Sequence, residues 1–375
     1  MRKKKKLGVI VNPIAGLGGR VGLKGTDGEE VARRARSMGA SPESPRRASE
    51  ALAAIRILRD EVESYSYPGE MGEDVLKQAG FSPKVLGSIR KGHTTSSDTE
   101  RAARDMAKLH VDLLLFAGGD GTARDVYRAV GHSVTVLGIP TGVKMHSAVF
   151  ALSPRVAGDV AVNFLKAGRP TSSEAEVMDI DETSFRAGVL NAKLYGYLRV
   201  PQERQHLQSA KSGGTSTEKQ VIQGIATELF RTMEKDTAYI FGPGSTTRDI
   251  LAQLHLEKTL LGVDVVKDGK VFAKDVNESQ LAELTGRGAR AKIVVTPIGG
   301  QGYIFGRGNQ QLSGEIIKNV GKENLIVVAS KQKLAALEGR PLLVDTGDTG
   351  VDASLAGYIR VVVGLDDYAM YRIGE

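Results

Sequence analysis

The stretch that most constrains this chain is Val111 to Ala117, a nearly unbroken apolar run that ends directly in Gly118-Gly119-Asp120-Gly121-Thr122. Seven residues is strand length, and a strand without alternation is one buried on both faces, as in a parallel sheet covered by helices. A glycine loop and then the amphipathic stretch Ala123 to Val130 complete a strand–loop–helix unit. The neighbouring sequence repeats the rhythm. Leu7 to Val11 reads as a strand, Asn12 to Gly28 as a long glycine-rich loop, and Val31 to Met38 as a helix. Ser49 to Glu63 reads as a second helix, with Leu52, Ile55 and Leu58 at helical spacing. Ser97 and Glu100 make a capping box that opens a helix to about Leu109, and Val134 to Ile139 is a strand closed by Pro140. Alternating β and α elements predict an α/β fold with a Rossmann-like parallel sheet.

At 375 residues the chain is long enough for about two domains. The texture changes after Gly168-Arg169-Pro170, which reads as a linker or crossover, so the first domain is expected to span 1–168. Residues 186–200 look extended, and the polar Lys211 to Thr217 segment reads as a loop. Further βα units follow: Ala238 to Phe241 runs into Gly242 to Thr247 and a helix through His255. Ala291 to Thr296 runs into Gly299 to Gly308 and a helix opened by Ser313, and Leu325 to Ala329 is another buried strand. Together these predict a second, mixed α/β or β-rich domain over 169–345. Tyr358 to Leu365 and Tyr368 to Ile373 read as a closing strand pair within 346–375, expected to return to the first domain.

Composition excludes several classes. The absence of cysteine removes disulfides, thiolate zinc sites, iron–sulfur clusters and a cysteine nucleophile, and it fits a reducing, cytoplasmic setting. No apolar stretch approaches the roughly 18 residues of a membrane span, and Leu7 to Val11 is too short for a signal-peptide core. The net charge is +7, with Arg2 to Lys6 as a basic run that leads into the first strand. Aromatics make up 5% of the chain and do not interleave with the basic residues, so no base-stacking surface for nucleic acid is visible. The positive balance suits polyanionic small molecules such as nucleotides.

Ligands of open α/β sheets bind beyond the carboxyl ends of the strands. The loop Gly118 to Thr122 is such a place: its glycines permit positive φ and close backbone approach to phosphate, and Thr122 can cap the helix that follows. Asp120 is the anomaly, since a carboxylate in an anion-binding loop repels phosphate. Accepting a proton from an attacking hydroxyl or holding a magnesium ion would account for it; so would an Asx turn. Other nucleotide motifs fail on spacing. A Walker loop counted back from Lys24 or Lys144 meets Leu23 or Val143 where glycine is required, and a dinucleotide fingerprint through Gly16 and Gly18 meets Val21. No His-Glu-x-x-His pair and no Gly-x-Ser-x-Gly elbow is present.

Gly118-Gly119-Asp120-Gly121-Thr122, together with Asn12-Pro13-Ile14-Ala15-Gly16, resembles the ATP-NAD kinase family. That loop alone is shared with diacylglycerol and sphingosine kinases and is similar to that of phosphofructokinases. Gly242-Pro243-Gly244-Ser245-Thr246-Thr247 resembles the later segment with which NAD kinases help bind the dinucleotide. Pro140 to Ser147 and Pro297 to Gly302 are similar to the longer, divergent branch of the family. The resemblance implies transfer of a phosphoryl group from ATP or polyphosphate, with Mg2+ or Mn2+, to the adenosine-ribose 2′-hydroxyl of NAD. It assigns Asp120 as the catalytic base; Asn12, Gly16, Gly118, Gly119, Gly121 and Thr122 to nucleotide and phosphate; and Asn191, Gly244, Ser245, Thr246 and Thr247 to NAD. No metal ligand is named. A homo-oligomer, dimer or tetramer, is implied, with neither nucleic acid nor membrane as partner.

The chain departs from the family in two places. Asn191 is followed by Ala192 where NAD kinases carry an acidic residue, and Gly299 to Gly308, with Arg307, Asn309 and Gln310, has no counterpart in the shorter members. That stretch reads either as turns or as a pocket wall. Arg20, Lys24 and Lys144 are candidate phosphate clamps or solvated loop charges. A kinase of another small hydroxyl metabolite or of a lipid, and a non-catalytic nucleotide sensor, stand as the rival functions.

Overall fold

A computed structural model describes residues 4–23, 29–141, 145–180, 192–202, 216–286 and 288–374. The chain is α/β and divides into two units: residues 1–17 with 25–210, and residues 18–24 with 211–375.

The first unit is built on a five-stranded, all-parallel sheet of order β3-β2-β1-β4-β5. Its strands are β1 (Lys5–Val11), β2 (Val62–Ser66), β3 (Lys84–Val85), β4 (Leu113–Gly118) and β5 (Val136–Pro140). Every residue of β4 is buried, as its sequence predicted, because helices cover the sheet. Those helices are α1 (Glu29–Ser37), α2 (Ser44–Ile55), α3 (Glu73–Gln78), α4 (Ser96–Lys108), α5 (Asp120–Val130) and α6 (Pro154–Lys166). α2 packs on α6 and α4 on α5. Two sequence expectations change. The helix expected over Ser49 to Glu63 ends at Ile55 and a short 3-10 turn, so that Val62 can open β2. The capping box of α4 is Thr95 with Asp98, two residues before the expected Ser97 and Glu100. The basic run is tied into the sheet: Lys5 Nζ reaches Asp112 Oδ1 at 2.8 Å, and Lys6 Nζ donates to the Leu109 carbonyl.

β6 (Ser172–Ile180) and β7 (Ala192–Pro201) form an antiparallel ribbon that packs on α5 and β5. An ion pair from Arg124 of α5 to Asp179, at 2.7 Å, fastens it. The ribbon therefore belongs to the first unit, and the units part after residue 210 rather than at the expected 168/169.

The second unit carries an eight-stranded mixed sheet of order β10-β9-β8-β11-β12-β14-β15-β13. β8 (Ala238–Phe241), β11 (Ala291–Val295), β12 (Leu325–Val328) and β14 (Gly357–Gly364) run parallel, while β9 (Asp264–Lys267), β10 (Lys270–Ala273) and β15 (Asp367–Gly374) pair antiparallel; β13 (Leu342–Leu343) lies at the edge. The closing strands do not return to the first domain. Val361 and Val362 pair with Val327 and Val328, so this apolar segment is buried in the second core instead. Gly299 to Gly308 is held as turns: Asn309 accepts from the Gly306 N–H and donates to the Ile304 carbonyl, and the buried Arg307 guanidinium lies 3.4 Å from Asp345 and over the Tyr303 ring.

Candidate active site

In the first sheet the strand order reverses between β1 and β4, the point at which an open α/β sheet leaves a crevice for ligand. The predicted residues converge there. Asn12 follows β1, and its Nδ2 donates to Thr122 Oγ1 at 2.9 Å across the two strand ends. Its Oδ1 accepts from the Ile14 N–H, and its backbone N–H bonds the Ala117 carbonyl of β4. The loop after β1 then turns at Gly16, where φ is +81° and a Cβ would lie 2.6 Å from the Thr141 carbonyl oxygen. Only glycine fits both demands.

The segment Gly118 to Thr122 is not a free loop. Gly119, with φ −109°, is the cap, and α5 begins at Asp120, so Thr122 lies inside the first turn instead of capping it. Positive φ is not what these glycines supply. At Gly118 the requirement is space, because a Cβ there would stand 2.4 Å from the Thr122 side chain. The first-turn N–H groups of α5, unmatched within the helix, and the positive end of its dipole lie at this strand end.

Asp120 is 6% exposed, and neither oxygen bonds its own loop in the manner of an Asx turn. Oδ2 accepts from the His146 backbone N–H at 2.7 Å and lies 3.2 Å from His146 Nδ1. Oδ1 accepts from the Ser147 N–H at 3.0 Å and faces Ser147 Oγ at 2.7 Å. Ser147 Oγ in turn stands 2.7 Å from the Met178 carbonyl and accepts from the Met178 N–H at 3.0 Å. The hydroxyl has one proton and two acceptors, so it can turn from the carboxylate to the ribbon. His146 and Ser147 end the Pro140 to Ser147 stretch, whose sequence assigns neither of them a role. The available signal was a polar pair soon after β5, the strand beside β4, whose end must therefore adjoin Asp120.

In the second unit, Gly242 to Thr247 connects β8 to the helix Ser245–Ala252. Thr247 is fully buried and its hydroxyl donates to the Gly242 carbonyl at 2.7 Å, closing the loop on itself. Gly244, at φ +127°, caps the helix; Ser245 is exposed, and Thr246 Oγ1 accepts from Lys333 Nζ at 3.1 Å. Lys333 also donates to Thr296 Oγ1 at 2.9 Å. Thr246, Thr296 and Lys333 follow β8, β11 and β12, three parallel neighbours, which is why residues so distant in sequence meet. Neither Lys333 nor Thr296 was singled out from sequence. Asn191, Lys24 and Lys144 lie outside the described residues, and Arg20 belongs to the second unit, its carbonyl accepting from the Glu278 N–H. No helix among the described residues is long and apolar enough to cross a membrane.

Comparison with known families agrees with this arrangement. The ATP-NAD kinase N-terminal domain matches residues 7–169, and the ATP-NAD kinase C-terminal domain matches residues 234–373. Among curated proteins no match was found. With both domains matched in order over most of its length, the chain belongs to the ATP-NAD kinase family.

Proposed function

We propose that the chain transfers a phosphoryl group from ATP or polyphosphate to the 2′-hydroxyl of the adenosine ribose of NAD, giving NADP. The observation that carries this reading is the buried Asp120 carboxylate at the first turn of α5, beside the switch point between β1 and β4. Phosphoryl transfer asks a protein to position and to neutralise. Gly118, Gly119, Gly121 and Thr122 present backbone N–H groups and the positive helix end to the donor phosphates, and Asn12 and Gly16 shape the adjoining wall. Asp120 supplies the negative charge toward which the hydroxyl proton is drawn as the oxygen attacks phosphorus. Gly244, Ser245 and Thr246 hold the dinucleotide, with Lys333 as the cation for its pyrophosphate; Thr247 keeps the loop in shape.

The residues fit a magnesium or manganese ion carried in on the donor. Among the described residues no three His, Asp or Glu side chains stand together as a metal site, and magnesium on a nucleotide needs only one or two protein oxygens, for which Thr122 Oγ1 lies in the first turn of α5. When bound, the ion spreads the charge of the transferred group. The test is incubation of the purified chain with NAD and either donor, with product mass measured. A single added phosphate that requires magnesium or manganese and is abolished by EDTA supports the reading. Binding of NAD without any phosphorylated product would favour a sensor.

A further inference from the structure

A carboxylate that takes up a proton stops being an acceptor on every side and acquires one O–H, which when buried is costly to leave without an acceptor of its own. The surroundings of Asp120 offer that O–H little. Oδ2 meets the His146 backbone N–H and His146 Nδ1, and Oδ1 meets the Ser147 backbone N–H and the Ser147 hydroxyl. Two of these four groups are backbone donors and never accept. His146 Nδ1 accepts only in the tautomer that carries the proton on the other ring nitrogen, so its use would require one N–H bond to break and another to form. The Ser147 hydroxyl needs only to rotate. Its oxygen stands 2.7 Å from Asp120 Oδ1 and 2.7 Å from the Met178 carbonyl, so its single proton finds an acceptor in either direction. With that proton toward Oδ1, Ser147 serves the ionised carboxylate. With it toward Met178, one oxygen lone pair takes the Met178 N–H at 3.0 Å and the other faces Oδ1, ready for a carboxylic O–H. Ser147 has no solvent exposure, and the Met178 N–H holds its oxygen in place in both arrangements.

We infer that Ser147 is the positioning residue through which Asp120 accommodates the proton of the acceptor hydroxyl: its O–H turns from Oδ1 to the Met178 carbonyl as the carboxylate becomes a carboxylic acid. The inference rests on the kinase reading above and deepens it. In the step, the acceptor O–H bond breaks and its proton passes to the Asp120 carboxylate. The oxygen's electron pair forms the new bond to the donor's terminal phosphorus. The bond from that phosphorus to its bridging oxygen breaks, its pair leaving with ADP or the shortened polyphosphate. No covalent bond of Ser147 is made or broken. Its hydroxyl rotates, and it rotates back once Asp120 has released the proton to solvent. Because the second acceptor is a carbonyl of β6, the ribbon is what makes the turn possible.

A residue that acts through Asp120 matters to turnover only while Asp120 can take a proton. Ser147→Ala keeps the backbone N–H bond to Oδ1 and is expected to lower kcat by ~10–100-fold, the worth of one hydrogen bond to a charged group. KM for NAD and for the donor should stay within about twofold, since neither is bound by this hydroxyl. Ser147→Thr retains the hydroxyl and should recover most of the loss. The decisive contrast is Ser147→Ala placed in Asp120→Asn, where the amide takes up no proton: there it should change the residual kcat by less than about twofold. Rates are compared at a temperature at which circular dichroism shows every variant folded. A merely structural Ser147 would slow both backgrounds alike. Equal losses in the two backgrounds, wild-type kcat in Ser147→Ala, or a folded Ser147→Thr as slow as Ser147→Ala overturns the inference; if the added methyl prevents Ser147→Thr from folding, the comparison of backgrounds decides alone. Failure of the kinase reading looks different: the wild-type chain would form no phosphorylated product, or Asp120→Asn would turn over like wild type.

Discussion

Asp120→Asn has a cost that chemistry alone would not suggest. The amide has the carboxylate's shape but only one acceptor oxygen, whereas the site offers backbone N–H groups on both sides, from His146 and from Ser147. With the amide oxygen toward His146, the NH2 group can donate to Ser147 Oγ once that hydroxyl turns to the Met178 carbonyl at 2.7 Å. The Ser147 N–H is then faced by a donor inside a residue with no solvent exposure. An orphaned buried N–H costs about 1–3 kcal/mol, and the change from a charged to a neutral acceptor at His146 removes about 1 more. The relief of no longer burying a charge offsets part of this, which leaves a loss of about 2–3 kcal/mol. Flipping the amide only moves the conflict to the His146 N–H. At about 2–4 °C per kcal/mol for a domain of this size, the first unit should melt roughly 5–10 °C lower. With no tryptophan in the chain, far-UV circular dichroism and calorimetry are the suitable probes, and they should show the first unit's transition shifting while the second unit keeps its own. Turnover should fall by ~10²–10⁴-fold as well. An Asp120→Asn chain that melts within a degree of wild type would refute the bonding described for this carboxylate.

Ser147→Ala removes a donor to Asp120 and leaves the half-buried Met178 N–H without its acceptor, so urea unfolding should show a loss of about 1–3 kcal/mol. Combined with Asp120→Asn it should cost clearly less than the sum, because both changes act on one network. Ser245→Ala with Thr246→Ala should raise KM for NAD much more than KM for ATP in steady-state assays, whereas Thr247→Ala should act mainly on thermal stability, since its hydroxyl closes the loop. Tyr67 is buried and donates to Asp105, and burial first, then that bond, pushes its phenol up to about 12. A raised value means stability fully present below the ordinary 10.0 and lost as pH climbs through about 12; Tyr67→Phe should flatten the fall in stability over that window in pH-dependent urea titrations.

The elements that could be read from sequence were those whose signal is local. β4, β8, β11 and β12 are short apolar runs closed by glycine or a turn, and each lies within two residues of its expected place at both ends. β2 was hidden because Val-Glu-Ser-Tyr-Ser carries little apolar pattern and gains its burial from neighbours, while the helical spacing of Leu58 continued past Ile55 into a 3-10 turn. At α4 two overlapping capping boxes fit the sequence, and the structure uses Thr95 with Asp98. Strand partners are not encoded locally, so the closing pair β14–β15 was seen but its sheet was not. The same limit explains the site. Asp120 and its glycines stood out, but His146 and Ser147 lie 26 and 27 residues away and reach the carboxylate only because β5 runs beside β4. Lys333, 87 residues from Thr246, depends likewise on the order β8-β11-β12.

The central claim is the identity of the hydroxyl that receives the phosphate. It is tested most directly by proton and phosphorus NMR of the product formed from NAD, donor and magnesium. The account predicts one new phosphate monoester whose phosphorus couples to H2′ of the adenosine ribose and to no other proton. Coupling to H3′ or to the nicotinamide ribose, or a product formed from another hydroxyl compound and none from NAD, would contradict it.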